Sequence, residues 1–330
     1  MIIIYGTYLP SIICMEVKKI DITQWATSNS QNGSARPIWF WDFVGQDDIV
    51  SMVKTALTSA QRSSHTLGHM LFSGNSGYGK TTLAHIIAND MSVNIKAVTW
   101  YAISKPSELI SILNNLQEWD ILFIDEIHRL KPTIEEVLYI AMEDWVIDFV
   151  MPEWWSMRLP INKFTLIGAT TKMESLSAPL KNRFIYKFHF QDYDREEIMS
   201  IVSKYLTHYD IEADRSIVEK ISWKVEHTPR EIHNICVKIR DYLIAQDMVH
   251  LAMHASQRDV FEQWLNVEEW WITPLHRQYL DILAAHDDAV WVKTLAAKLG
   301  MNEKALESDI EPLLLKLGKI EKTTRGRVLR

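Results

Sequence analysis

The sequence predicts an α/β fold with a parallel sheet, followed by a small all-helical domain and a C-terminal winged helix. Three observations carry that reading. Between Arg36 and Tyr193 short apolar runs alternate with helical patterns, from Asp194 to Arg258 the strand signals stop, and from Asp259 onward three helical patterns precede a short basic hairpin.

In the first region the runs are HMLFS, NIKAV, ILFID and FTLIGA, separated by KTTLAHIIANDM and a helix around ELISILNNL. Strands joined by helices in this way lie parallel, because a parallel pair needs a long crossover. In the helix after HMLFS, Leu83, Ile86, Ile87 and Met91 recur at spacings of three and four, so one face packs on the sheet. EEIMSIVSKYL and PREIHNICVKIRDYLIA read as the helical unit. PLHRQYLDILAAH, VKTLAAKLG and NEKALESDIEPLLLKLG, followed by KIEKTTRGRVLR, read as three helices and a wing. Residues 1–35 end in the Ser, Asn and Gly rich stretch TSNSQNGS and read as a flexible lead-in.

At 330 residues the chain has room for two or three domains. It is 47% hydrophobic and 23% charged, close to the soluble globular average, which excludes disorder and a membrane bundle. The net charge of -7 means that any contact with a polyanion must come from local basic patches. Cys14 and Cys236 are far apart and in no metal-ligand spacing, so a reducing, cytoplasmic setting is expected. The apolar start MIIIYGTYLPSIIC lacks a basic lead and is broken by Gly6 and Pro10, so we read neither signal peptide nor membrane anchor. Met15 opens a polar stretch and is an alternative start.

The chemistry begins at GNSGYGKT, Gly74 to Thr81, a phosphate loop between an apolar strand and an amphipathic helix. Gly74, Gly77 and Gly79 let backbone N–H groups curl around phosphate oxygens, and the helix N-terminus adds its positive dipole end. Lys80 reaches the β/γ-phosphates, Thr81 ligates Mg²⁺, and Thr82 follows on the same turn. The duller reading is a Gly-rich turn with an exposed lysine. ILFIDE then runs as a buried strand into two acids at the carboxyl edge of the sheet, with Asp125 placed for Mg²⁺ and Glu126 for the attacking water. Alone, such a pair would merely solvate a strand end; with the loop it indicates ATP hydrolysis. FTLIGATT is another apolar strand with a polar end able to sense a γ-phosphate. Arg183, in SAPLKNRF, could reach a neighbouring subunit's nucleotide, or form an ordinary surface salt bridge.

RPIWFWDFVGQ, NSGYGKTTLAHIIAND, ILFIDEIHRL, FTLIGATT, PLKNRF, HTPREIHNI and TTRGRV, in this order, resemble the RuvB family of AAA+ ring ATPases from about Arg36 to the end. The resemblance implies an AAA+ P-loop domain, a helical lid and a winged helix, divided as 36–193, 194–258 and 259–330. It implies an ATP- and Mg²⁺-dependent homo-hexamer that drives Holliday-junction branch migration with a RuvA-like partner, alongside a RuvC-like resolvase. It makes Thr171 the first sensor, Arg183 the arginine finger, Arg230 the second sensor, Tyr193 a wall of the adenine pocket, and Val44 with Gly45 the holders of the adenine edge. A clamp-loader type ATPase and a non-hydrolysing DNA-binding regulator remain the alternatives; the terminal winged helix weighs against the first, and intact Lys80, Asp125, Glu126 and Arg183 against the second.

The helix ALESDIEPLLLKL carries Glu307, Asp309 and Glu311 and would repel phosphates, so the wing is the expected DNA contact. Lys322, Arg325, Arg327 and Arg330 predict backbone contacts without strong sequence preference, or else a solvated basic tail. The histidines, His128 included, read as structural.

Two features depart from the family pattern. There are 11 glycines where an average chain of this length has ~23, and 13 tryptophans. Trp100, Trp119, Trp271 and Trp291 stand where the family pattern has glycine, and we read some of them as UGA codons decoded as glycine; the alternative is ordinary aromatics. The segment DFVMPEWWSMRL is about three residues shorter than the family's partner-docking hairpin, with Trp154 and Trp155 as candidate anchors.

Overall fold

The computed structural model describes residues 36–150, 156–224, 228–245, 252–253, 272–286 and 288–330. The chain divides into two units, Met1–Arg36 and Pro37–Arg330, and the sheet, helices and wing all belong to the second. Expectations for the lead-in, Cys14, Met15, Trp154, Trp155 and Trp271 fall outside the described residues.

The large sheet contains β1 (Met70–Ser73), β2 (Ile95–Thr99), β3 (Ile121–Asp125), β6 (Thr165–Thr170) and β7 (Tyr186–His189), all parallel, in the order β2-β3-β6-β1-β7. The three central strands are buried along nearly their whole length, which is why they read as unbroken apolar runs. The edge strands β2 and β7 are part exposed and carry Lys96 and Lys187, charges that discourage pairing with another sheet.

Crossover helices cover both faces. In α2 (Lys80–Met91), Leu83, Ile86 and Ile87 are buried as the spacing predicts, while Met91, at the helix end, is only half-buried. On the other face α3 (Pro106–Asn114) and α4 (Pro132–Asp144) bury Leu109, Leu113, Ile134 and Leu138 against Leu122, Ile124 and Leu166. Both helices start with proline, whose missing N–H costs nothing at that position. α1 (Asp47–Ser63) precedes β1, and α5 (Ala178–Arg183) sits between β6 and β7. An antiparallel hairpin, β4 (Val146–Val150) and β5 (Ser156–Pro160), is inserted after α4.

The expected helical unit contains α6 (Arg195–His208), α7 (Arg215–Lys224) and α8 (Pro229–Ala245). It is not wholly without strands: β8 (Glu212–Ala213) pairs in parallel with β9 (Ala252–Met253), a two-residue match too short to show as an apolar run. Cys236 is buried on α8, which pushes its thiol up to about 12 and leaves it inert.

The C-terminal region has its own core around Tyr279, Leu295, Leu306, Ile310 and Leu314. It is built from α9 (Pro274–Ala284), α10 (Val292–Leu299), α11 (Glu303–Ala305), a π-helical turn (Leu306–Ile310) and α12 (Glu311–Lys316). Pro312 explains the wide turn: it lacks an N–H and its ring would crowd the carbonyl four residues back, so the helix loosens just before it. β10 (Ile320–Thr323) and β11 (Gly326–Leu329) form the wing, and Val290 bridges to Arg327.

Trp119 has φ +76°, in the turn between α3 and β3, and Trp145 has φ +56°. A bulky L residue is strained there, and glycine is not. The conformation fits the glycine reading at Trp119. Trp100 is different: its ring packs against the core and lies 5.4 Å from the Arg129 guanidinium, on an ordinary backbone. Trp291 is an exposed N-cap at φ -68°. Replacing Trp119 by Gly should therefore raise stability by about 1 kcal/mol, read as a higher thermal midpoint; a lower midpoint would show that the ring contributes more than the strain costs.

His69 ties three elements together at the base of the sheet. Its Nδ1 accepts from the Leu166 N–H at 2.9 Å, and its Nε2 lies 3.3 Å from the Met142 carbonyl, which fixes the proton on Nε2. Burial beside Trp145 and Phe164 lowers its pKa to about 4, only partly offset by the Met142 bond. The folded state thus prefers neutral imidazole, so its stabilising effect is complete above pH ~6.5 and fades as pH falls towards 4. Denaturation midpoints should drop over that window, and His69→Gln should flatten the drop.

Candidate functional site

The strand order places the ends of β3, β6 and β1 side by side at the carboxyl edge, where open α/β sheets bind ligands. After β1 the chain turns through Gly74–Gly79 into α2. Gly79 is the N-cap at φ +91°, and a Cβ there would lie 3.1 Å from the Phe43 ring. No side chain caps α2, so its first N–H groups are left for an anion. Thr81 and Thr82 follow half-buried on that first turn.

Lys80 is buried, and its Nζ donates to the carbonyls of Gly74 and Asn75, both at 2.7 Å. Burial lowers its pKa, while Glu126 and Asp125 act the other way. The ammonium is thus folded onto its own loop.

Across β6 stand the acids. Asp125 ends β3 and its Oδ1 accepts from the Glu126 N–H at 3.1 Å. Glu126 adopts φ +51°, a conformation that costs energy in a non-glycine residue and is found where function constrains the chain. Its Oε2 accepts from the Thr171 hydroxyl at 3.1 Å and lies 3.1 Å from His128 Nδ1. His128 also contacts the Thr170 hydroxyl at 2.9 Å. His128 is therefore not the purely structural residue the sequence suggests. Burial lowers its pKa, and the adjacent carboxylate favours a proton on Nδ1 that donates to Glu126. A single histidine at no metal spacing offered no signal for this contact.

The base-pocket candidates also converge. The Gln46 side chain donates to the Gln191 carbonyl at 2.7 Å and accepts its N–H at 3.0 Å, holding Val44 and Gly45 against the segment ending in Tyr193. A Cβ on Gly45 would come within 2.8 Å of the Tyr193 ring. Tyr193 is buried, which raises its pKa, and donates to the Tyr78 carbonyl at 3.0 Å. Tyr78 in turn donates to Asp192, a link that the loop motif, silent about its variable positions, did not announce. Arg230, at the start of α8, donates through Nη1 to Ser76 Oγ at 2.9 Å, so the second-sensor candidate touches the phosphate loop. Arg183 contacts none of these groups. It pairs with Glu143 at the end of α4.

The wing needs a correction. Glu311 is fully buried and accepts from Arg327 at 2.8 Å, from Tyr279 at 3.1 Å and from Lys322 at 2.7 Å. Arg327 also reaches Glu307 at 2.8 Å. Burial alone would push the Glu311 carboxyl up, but the bonds from Arg327 and Lys322 outweigh it and hold the pKa below the usual range. Lys322 and Arg327 are thus committed to the helix acids, and two of the three acids read as repelling phosphate are neutralised by them. Arg325 and Arg330 have no ion-pair partner among the described residues.

Among the described residues no group of three His, Cys, Asp or Glu side chains could hold a metal by itself, and no helix is long and apolar enough to cross a membrane.

Comparison with known proteins agrees over most of the chain. A family model described as the Holliday junction DNA helicase RuvB P-loop domain matches residues 35–190, and one described as the RuvB C-terminal winged helix domain matches residues 269–330. The Holliday junction branch migration complex subunit RuvB of Campylobacter fetus is 38% identical, covering 94% of this chain and 91% of its own. That of Helicobacter pylori is 37% identical, covering 91% and 90%. The structure of the Thermotoga maritima RuvB Holliday junction branch migration motor superposes with a TM-score of 0.73 at 32% identity, over 90% of this chain and 95% of that one.

Removing Arg327 would leave Glu311 buried with only the half-exposed Lys322 and Tyr279 as partners. Arg327→Ala should destabilise the C-terminal region by on the order of 3 kcal/mol, measured by hydrogen exchange at Tyr279 and Leu314; unchanged protection there would refute the staple.

Proposed function

The chain belongs to the RuvB family, and on that footing we propose how its own residues hydrolyse ATP and move DNA. It is an AAA+ ATPase that drives branch migration of Holliday junctions. The observation that carries the residue assignment is the convergence of Lys80, the Asp125–Glu126 pair and Thr171 from three neighbouring strand ends.

ATP lies along the phosphate loop with its triphosphate on the N–H groups of Gly77 to Thr81 and its adenine against Tyr193, Val44 and Gly45. Lys80 releases the Gly74 and Asn75 carbonyls and neutralises the β/γ-phosphates. Hard oxygen donors suit Mg²⁺, and Thr81 with Asp125 would supply them; when bound, the ion neutralises charge on the phosphates. Glu126 takes a proton from the attacking water as the new bond to the γ-phosphorus forms and the bridging bond to ADP breaks. Thr171 and His128 hold Glu126 until then. Arg230 reads the phosphates from the helical lid, and Arg183 reaches the site of the next subunit in a homo-hexameric ring.

Duplex DNA would pass the wings, with Arg325 and Arg330, which have no ion-pair partner among the described residues, as the main cations, and Lys322 and Arg327, paired with Glu311, contributing less. A RuvA-like protein would dock at the β4–β5 hairpin, a RuvC-like resolvase would act on the same junction, and the setting is the cytoplasm. The domain division at 193/194 and 258/259 belongs to this proposal.

The test is migration of a four-way junction by purified protein, with and without a RuvA-type partner. Glu126→Gln should retain ATP binding but lose turnover by on the order of 10²-fold to 10⁴-fold and stop migration. Full turnover in that variant would remove Glu126 from the mechanism.

A further inference from the structure

Arg183 has a partner that the family comparison does not assign. We propose that Glu143 is the positioning residue of the arginine finger. This rests on the reading above, in which Arg183 acts on an adjacent subunit's triphosphate.

The backbone beneath Arg183 is fixed. α5 is capped by Ser177, whose Oγ accepts the Leu180 N–H at 3.4 Å, and Leu180 and Phe184 on either side of the finger are buried in the main core. From Cα outward, however, an arginine has about four rotatable bonds, and a guanidinium in the right place on a fixed backbone needs something to hold its far end. Glu143 is that group: its Oε2 contacts Nη2 of Arg183. Nε is buried without a hydrogen bond, and Nη2 is the nitrogen that Glu143 clamps. Nη1 has no partner among the described residues and is left for an incoming oxygen.

A purely stabilising role explains the pair poorly. The side chains are 36% and 53% exposed, and ion pairs with that much water around them contribute little to folding. Glu143 and Asp144 also close α4 with no basic residue in its last turn, where the helix dipole disfavours negative charge. At that site an acid is an electrostatic liability for the helix, and it becomes useful only as a clamp for the guanidinium opposite.

The experiment is subunit mixing with full-length chains. Glu143→Gln should lower kcat about tenfold while its own site binds ATP as before, and Glu143→Asp should recover part of the loss. Mixed with Glu126→Gln chains, Glu143→Gln should give more turnover per chain than either parent, because some seams then combine an intact acid with an intact, clamped finger. Mixed with Arg183→Ala chains it should gain nothing. Rescue by Arg183→Ala chains instead would place Glu143 in its own subunit's site, and rescue by neither would make it structural; either result overturns the proposal. A control mixture of Glu126→Gln with Arg183→Ala separates the two levels: if it shows no turnover, the shared seam itself fails, whatever Glu143 does.

Discussion

Everything at this site depends on where β6 lies. By inserting between β1 and β3, it brings the Gly74–Gly79 loop, Thr171 and an acidic pair from distant parts of the chain to one edge. The register is held by pairs such as Ile124 with Gly168 and Phe72 with Ala169, all within the buried centre. A slip of one residue would turn every side chain of a strand to the opposite face, so the apolar runs that make the core also fix the chemistry. Gly168 contributes directly: a Cβ there would come within 3.0 Å of Ile127, which follows the acids.

The charged groups of the site also hold partners within the chain. Lys80 rests on loop carbonyls, Glu126 on Thr171 and His128, Arg183 on Glu143, and Arg230 on Ser76. The contacts of Lys80, Glu126 and Arg230 are ones that a phosphate or a water could replace at similar energy, whereas the Arg183–Glu143 pair can stay in place.

The parallel sheet, the loop and the acids were legible because their physics is local: an apolar run, a Gly-rich turn, a strand ending in carboxylates. What stayed hidden was pairing over long sequence separations. Glu311 read as a charge facing DNA, and nothing in ALESDIEPLLLKL says that it is buried under Arg327. Counting basic residues in the wing likewise treated four cations as equivalent when two have internal partners. His128 and Glu143 gave no pattern at all, since one hydrogen bond leaves no periodic trace. The strained backbone at Trp119, by contrast, accords with the shortage of glycine in the sequence and with the glycine that the family pattern has at that position.

The bond between Ser76 and Arg230 joins positions 154 residues apart, and Ser76 lies within the loop that runs from Gly74 to Gly79. The helix beginning at Pro229 therefore cannot tilt without tugging at the loop that joins β1 to α2. Motion of that helix and motion of the loop thus become one mechanical act, the more so because Thr228 and Arg230 also pack directly against Gly77.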